Sequence, residues 1–226
     1  MNVDKAALRN GRTGVCLFAK APLQGAVKTR MAPLLSESDC LRLHRELLTC
    51  VIENAASLPM QDYAVELHIT SPHTDFDTLS ARHGFPQKLQ RGADLGERMS
   101  YAVAETLRCH PAVLLLGADC PFVDSKTIDA MQQALQHSQA VIVPATDGGY
   151  VALMLRAHDA SLFENIAWGG DDVAAVTRCR LQALKWTYTV MPVCRDIDRP
   201  EDLECLAQIP ALQHWAAVQA AATLRR

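Results

Sequence analysis

Ala112-Val113-Leu114-Leu115-Leu116-Gly117-Ala118-Asp119-Cys120-Pro121 is the stretch on which the fold turns. Its opening apolar run lacks the alternation of a half-exposed strand. Such a run suits a strand covered on both faces, as in a parallel sheet. Glycine ends it, and the aspartate and proline that follow turn the chain. Working outward, residues 15–19 and 64–70 read as strands before this stretch, and 140–144, 150–155 and 186–191 as strands after it. Helical spacing covers 39–56, where Leu43, Leu47, Leu48, Val51 and Ile52 recur on one face behind Ser36 as N-cap. It also covers 93–108, 126–137 and 171–184, with a short helix at 201–206 and a tail helix beyond Pro210. The alternation predicts an α/β fold with a mainly parallel sheet between two layers of helices. At 226 residues the chain suffices for one such domain. No repeat or linker divides it, so it is read as a single domain with a core over about 14–206 and a tail helix over 211–226.

Bulk properties narrow the function. Hydrophobic residues make up 49% and charged residues 21%, and the formal net charge is -3, which argues against a dedicated nucleic-acid binder. The eight Cys are scattered without zinc-ribbon spacing and read as free thiols in a reducing compartment. Residues 1–14 hold no apolar stretch, and the Ala-rich run at 215–224 is too short to span a bilayer. A cytoplasmic location without a membrane span is expected. Charge is unevenly placed: six Lys or Arg and no acid lie between Lys5 and Ser36, and five acids lie between Arg195 and Glu204.

In open α/β sheets the ligand sits beyond the carboxyl ends of the strands. Four segments just after strands carry chemistry. The first runs from Ala19 to Arg30; Pro22 and Gly25 shape a turn, and Lys20, Lys28 and Arg30 project cations suited to a nucleotide diphosphate or triphosphate. It has neither P-loop nor dinucleotide-fingerprint spacing, and a solvated basic loop is the plainer alternative. The second is Gly117-Ala118-Asp119-Cys120-Pro121. A carboxylate at the end of a buried strand calls for a positive partner, and a divalent cation suits it; Asp124 and Ser125 are better placed to cap the next helix. The third is Asp147-Gly148-Gly149-Tyr150, which lets backbone approach a ligand closely but also fits a simple hairpin turn. The fourth is Asp196-Ile197-Asp198-Arg199-Pro200-Glu201-Asp202-Leu203. Its alternating aspartates are expected to point to opposite sides, one facing the site and one capping the Pro200 helix. The eight His are dispersed and offer no paired metal motif, and Cys120 is expected to pack rather than react.

These four motifs, together with Gln90-Arg91-Gly92-Ala93-Asp94-Leu95-Gly96-Glu97-Arg98-Met99, resemble a bacterial family of glycosyltransferase-A-like proteins, of arsenosugar-biosynthesis type or associated with radical-SAM enzymes. The resemblance runs in order from about Gly14 to Leu206. It implies the nucleotide-diphospho-sugar transferase fold, shared with molybdenum-cofactor guanylyltransferases and with the enzyme that activates phospholactate for coenzyme F420. By motif position it implies that Asp119 and Asp198 hold Mg2+ or Mn2+. Lys20, Lys28, Arg30, Gln90, Gly92, Asp94, Gly148 and Gly149 would contact nucleotide and phosphates. Lys28 would assist the leaving group, and Asp147 or Asp171 would act as base. The chain departs from the family at Trp168-Gly169-Gly170-Asp171, where Trp-Ser-Thr-Asp is common. The expected activity is metal-dependent glycosyl transfer from a nucleotide sugar to a small-molecule acceptor. The alternative is nucleotidyl transfer from a nucleoside triphosphate to a phosphorylated acceptor, releasing pyrophosphate. A homodimer is an allowed assembly, and no nucleic-acid partner is expected.

Overall fold

The computed structural model describes residues 11–223. Its centre is a seven-stranded sheet in the order β3-β2-β1-β4-β6-β5-β7. The strands are β1 (Thr13–Ala19), β2 (Tyr63–Ile69), β3 (Gln87–Leu89), β4 (Val113–Gly117), β5 (Ala140–Pro144), β6 (Tyr150–Leu155) and β7 (Tyr188–Val190). The apolar run at 112–116 becomes β4, next to β1 in the middle of the sheet, with Val113 and Leu114 fully buried. All pairings are parallel except those of β6, which runs antiparallel to both β4 and β5. Only five residues join β5 to β6, too few for the crossover that a parallel neighbour requires.

The helices cover both faces. On one face α1 (Glu37–Ala56), α2 (Thr74–His83) and α4 (Ser125–Leu135) share a core with β1 and β4 that includes Leu17, Leu48, Val51, Phe76 and Ile128. On the other, α3 (Leu95–Thr106) and α5 (Val173–Ala183) enclose Met99, Val103, Leu115, Ile142 and Leu181. Ser36 caps α1 by accepting from the Asp39 N–H, and Asp124 caps α4 by accepting from Thr127. The second flank of α1 packs Leu43 and Leu47 against Ile197, Leu203, Leu206 and Trp215. This locks the C-terminal segment to the domain. Each fully buried Leu or Ile of this kind contributes about 1.5–3 kcal/mol.

Three regions differ from expectation. Nothing in the sequence reading filled the stretch between 70 and 93, where α2 and β3 lie. The first buries only Phe76 and Leu79, and the second is a three-residue edge strand with Lys88 and Leu89 exposed. Neither carries enough apolar period to register. The short helix after Arg199 is a 3-10 helix, Pro200–Gln208. The tail helix is α6 (Gln213–Thr223), and the expected continuation to residue 226 lies outside the described residues, as do Lys5, Arg9 and most of the N-terminal stretch read as lacking a leader. Among the described residues no helix is long and apolar enough to cross a membrane.

Candidate active site

The chain leaves β1 to build β2 and β3 on one side, then returns to place β4 on the other side of β1. This reversal opens a crevice at the carboxyl ends of β1 and β4. The first two chemical segments emerge there, joined by the Ala118 N–H donating to the Phe18 carbonyl. The result is a cleft of about 600 Å3.

The β1 loop is shaped from within. Lys20 Nζ donates to the Ala26 carbonyl at 2.7 Å, closing the turn in which Gly25 adopts φ 72. Lys28 takes a left-handed conformation, φ 50 and ψ 35, at the start of a 3-10 turn, Thr29–Met31. Such a conformation costs a non-glycine residue about 1–3 kcal/mol. It is held by Met31, which is fully buried against the inner flank of α1. The consequence is inward: Lys28 has a side chain only 4% exposed, and its Nζ lies 3.1 Å from Asp119 Oδ2. Arg30 reaches across the mouth, with Nη1 2.8 Å from Asp198 Oδ2.

The acids converge opposite these cations. Burial would push the Asp119 carboxyl up, but the charge and hydrogen bond of Lys28 outweigh it and hold Asp119 below the usual carboxylate range. Asp119 also accepts the Ile197 N–H on its carbonyl at 3.2 Å, so the β4 turn and the C-terminal acidic segment are one unit. The expectation that Asp196 and Asp198 point to opposite sides is overturned. Both line the cleft, and Ile197 between them is fully buried on the other side. Extended chain has a period of two, so residues i and i+2 share a face and the intervening one does not. The N-cap of the Pro200 helix is Arg199, and the acid that closes its first turn is Asp202, whose carboxylate reaches back to accept from the Asp198 and Arg199 N–H groups.

Asp196 is therefore a site residue that the sequence reading passed over. Burial, then the charges of Asp147 and Asp119, push its carboxyl up to about 6 from 3.8. A carboxyl raised in the native state favours the protonated form there. Its penalty is absent below the unfolded value of 3.8 and complete above about 6. In EDTA-treated protein, Asp196→Asn is thus expected to melt higher than wild type at pH 7.5, with the gap shrinking towards pH 4.5. Thermal melts at the two pH values check this; a gap that widens in acid would show that Asp196 is not crowded by its neighbours.

Asp147-Gly148-Gly149-Tyr150 forms the third wall. Asp147 Oδ1 accepts the Gly149 N–H at 2.9 Å, and the Gly148 carbonyl accepts the Ala174 N–H at the start of α5. Gly148 adopts φ 91, and a Cβ there would stand 1.9 Å from the Asp171 carbonyl oxygen. The turn is therefore docked on α5, not free at the surface.

The cleft brings together Lys20, Arg30, Gln90, Asp119, Asp147, Gly149 and Asp198 among the expected residues. Lys28 supports it through Asp119. Gly92, Asp94, Gly148 and Asp171 are not among the lining residues. Asp94 caps α3 by accepting the Glu97 N–H, Gly92 accepts from Arg98 Nε, and Asp171 packs its backbone on Gly148. Gln90 lines the cleft while donating to the His68 and Ala19 carbonyls. Cys120 is fully buried, in contact with Cys194 Sγ at 3.3 Å, in the core that also holds Ile128 of α4. Two further residues line the cleft: His44, which escaped sequence reading, and Trp168, from the segment in which the chain departs from the family. His44 is buried, donates from Nε2 to the Lys20 carbonyl at 2.9 Å, and has its pKa lowered by burial. Trp168 stands edge-on to Tyr150. A polar residue on the apolar face of α1 was the visible sign of His44.

The sheet order and its two helical layers match the nucleotide-diphospho-sugar transferase fold. A candidate nucleotide-diphospho-sugar transferase from Desulfovibrio desulfuricans G20 shares it with a TM-score of 0.80 at 23% identity, over 94% of this chain and 95% of that one. The 4-diphosphocytidyl-2C-methyl-D-erythritol synthase of Anaerococcus prevotii DSM 20548 gives a TM-score of 0.59 at 11% identity, over 99% and 100% of the two chains. A cytidylyltransferase from Leptospira borgpetersenii serovar Hardjo-bovis gives 0.53 at 16% identity, over 95% of each. No curated protein matches the sequence. The chain belongs to the family described as uncharacterized protein conserved in bacteria (DUF2064), whose family model matches residues 51–170. That span contains Asp119 and Asp147 but neither the β1 loop nor the Asp196–Asp198 segment.

Proposed function

We propose that the protein transfers a glycosyl group from a nucleotide sugar to the hydroxyl of a small acceptor. The observation that carries this reading is the pair of crossed ion pairs, Lys28–Asp119 and Arg30–Asp198, at the switch point of the sheet. Each joins a loop cation to a strand-end acid across the place where a diphosphate would lie. A diphosphate can take over Arg30, releasing Asp198 for a metal, while Lys28 keeps Asp119 ionised from behind.

The residues fit a divalent metal by their chemistry. Asp119, Asp196 and Asp198 offer only oxygen, and Asp196 is short of positive charge, which favours a hard cation such as Mg2+ or Mn2+. Among the described residues no three His, Cys, Asp or Glu side chains are already drawn into a ligand set. One or two carboxylates with phosphate oxygens and water suit Mg2+. Bound there, the metal would neutralise charge on the departing nucleoside diphosphate. Arg30 stabilises the same charge directly, and Lys28, buried behind Asp119, acts through that carboxylate. Asp147, which lines the cleft where Asp171 does not, is the base: its Oδ1 is engaged by Gly149, and its second oxygen takes the acceptor's hydroxyl proton as the acceptor oxygen bonds to the sugar's anomeric carbon and the bond from that carbon to the diphosphate breaks.

Calorimetric titration with UDP-, GDP- and other nucleotide sugars, with Mg2+ or EDTA, tests the proposal. Binding is expected only with metal, and turnover should release nucleoside diphosphate. Undiminished affinity in EDTA would overturn the metal assignment. A second reading, nucleotidyl transfer, draws on the full-length fold shared with cytidylyltransferases, and release of pyrophosphate would establish it instead.

The two cations are expected to behave differently when removed. Arg30 is half exposed, so its ion pair adds little stability. Arg30→Met should melt like wild type yet bind the donor about tenfold or more weakly, since a charge-assisted contact contributes about 1.5–3 kcal/mol. Lys28→Met should also lower the melting temperature, because it strips Asp119 of its partner. Equal melting temperatures for the two variants would contradict the buried placement of Lys28.

A further inference from the structure

The cleft has two chemically different ends. One holds Lys20, Arg30, Asp119 and Asp198. The other is walled by Leu95, Met99, Tyr150, Val151, Trp168 and Val173. Trp168 is seated firmly: its ring meets Tyr150 edge-on at 6.3 Å, and its Nε1 lies so near Gly96 that a Cβ there would stand 2.6 Å away. The indole N–H is buried without an acceptor. Gly169 and Gly170 continue the wall without side chains. The cation among the lining residues of α3 is Arg98, between Leu95 and Met99, and its Nε is engaged by the Gly92 carbonyl. Lys20, bound to the Ala26 carbonyl, and Arg30, paired with Asp198, belong to the other end. The same cleft holds the carboxylates of Asp147 and Asp196. A phosphomonoester brings nearly two negative charges at neutral pH. Placed here it would meet acids and an apolar wall, with Arg98, already engaged by a carbonyl, as the one cation on that wall. A neutral ring would instead bury its face against aromatic surface in the offset or edge-on geometry that such rings prefer.

We propose that this end receives an uncharged acceptor that carries a flat apolar ring beside its hydroxyl group, and that Trp168 is the residue that selects it. The proposal rests on the transferase reading above. It assigns the acceptor class, and it places the hydroxyl next to Asp147 at the junction of the two ends.

Phenyl β-D-glucopyranoside and glucose 1-phosphate, titrated separately into the full chain and followed by saturation-transfer NMR, test it. The phenyl glucoside is expected to bind more tightly, with the largest transfer on its phenyl protons. Trp168→Leu should weaken it about tenfold, equivalent to about 1.4 kcal/mol, and Trp168→Phe by less than about threefold. Tighter binding of glucose 1-phosphate, transfer centred on the sugar protons, or wild-type affinity in Trp168→Leu would each overturn the proposal; the first two need no variant to fold. A nucleotide-sugar titration with Mg2+ in the same samples separates it from the reading beneath it. Nucleotide binding without phenyl glucoside binding overturns the acceptor class alone. Phenyl glucoside held through Trp168 without nucleotide binding upholds this end of the cleft and overturns the transferase function.

Discussion

Asp119→Asn is expected to reduce turnover by about a thousandfold, some 4 kcal/mol of transition-state stabilisation, while the protein stays folded. The asparagine keeps the shape of the side chain but cannot hold a divalent cation by charge. On sequence alone, neutralising a carboxylate crowded by other acids would even stabilise the metal-free protein. The structure changes that sign, because Lys28 holds the Asp119 carboxyl below the usual range. A group with a depressed native pKa contributes stability above its unfolded value, and that contribution disappears as pH falls through the native value. The variant should therefore melt slightly below wild type near neutral pH, and the difference should close in acid. The loss is modest because Asp119 is about half exposed to the cleft. Steady-state assays with melting curves at two pH values check both parts. A folded variant with normal turnover would remove Asp119 from the chemistry.

Gly148→Ala is expected to be the most destabilising single-methyl change in the site. Two costs combine. The residue sits at φ 91, where an L side chain is strained, and the new Cβ would press on the Asp171 carbonyl oxygen, which is backbone and cannot swing away. Together these amount to roughly 3–5 kcal/mol, or on the order of 10 °C in melting temperature for a chain of this size. Two neighbours serve as controls. Gly149→Ala meets only Asp147 Oδ1 at 3.1 Å, and Gly169→Ala, at φ 86, has open space around it. Both should cost much less. If all three variants melt alike, Asp147-Gly148-Gly149-Tyr150 is an ordinary hairpin turn and is not anchored on α5.

The sequence by itself determined the layered α/β architecture and the positions of the four segments at strand ends. It could do so because those features are local. A fully buried strand such as β4 shows as an unbroken apolar run, α1 as a repeat behind a serine cap, and a strand end as glycine followed by aspartate. The elements it missed, α2 and β3, are those whose apolar content is too small to make a period. Sequence also named Lys28, Arg30, Asp119 and Asp198 as residues to watch, yet not which cation meets which acid. Only the tertiary structure decided that Lys28 turns inward to Asp119, that Arg30 meets Asp198, that His44 enters the site from α1, and that Gly148 is wedged against Asp171. Each depends on contacts between residues far apart in the chain: Lys28 and Asp119 are 91 residues apart, Arg30 and Asp198 are 168 apart. Local pattern fixes what an element is and which face it buries. Which charges and rings meet above the sheet follows from the order of its strands, and that order arises only when the whole core packs.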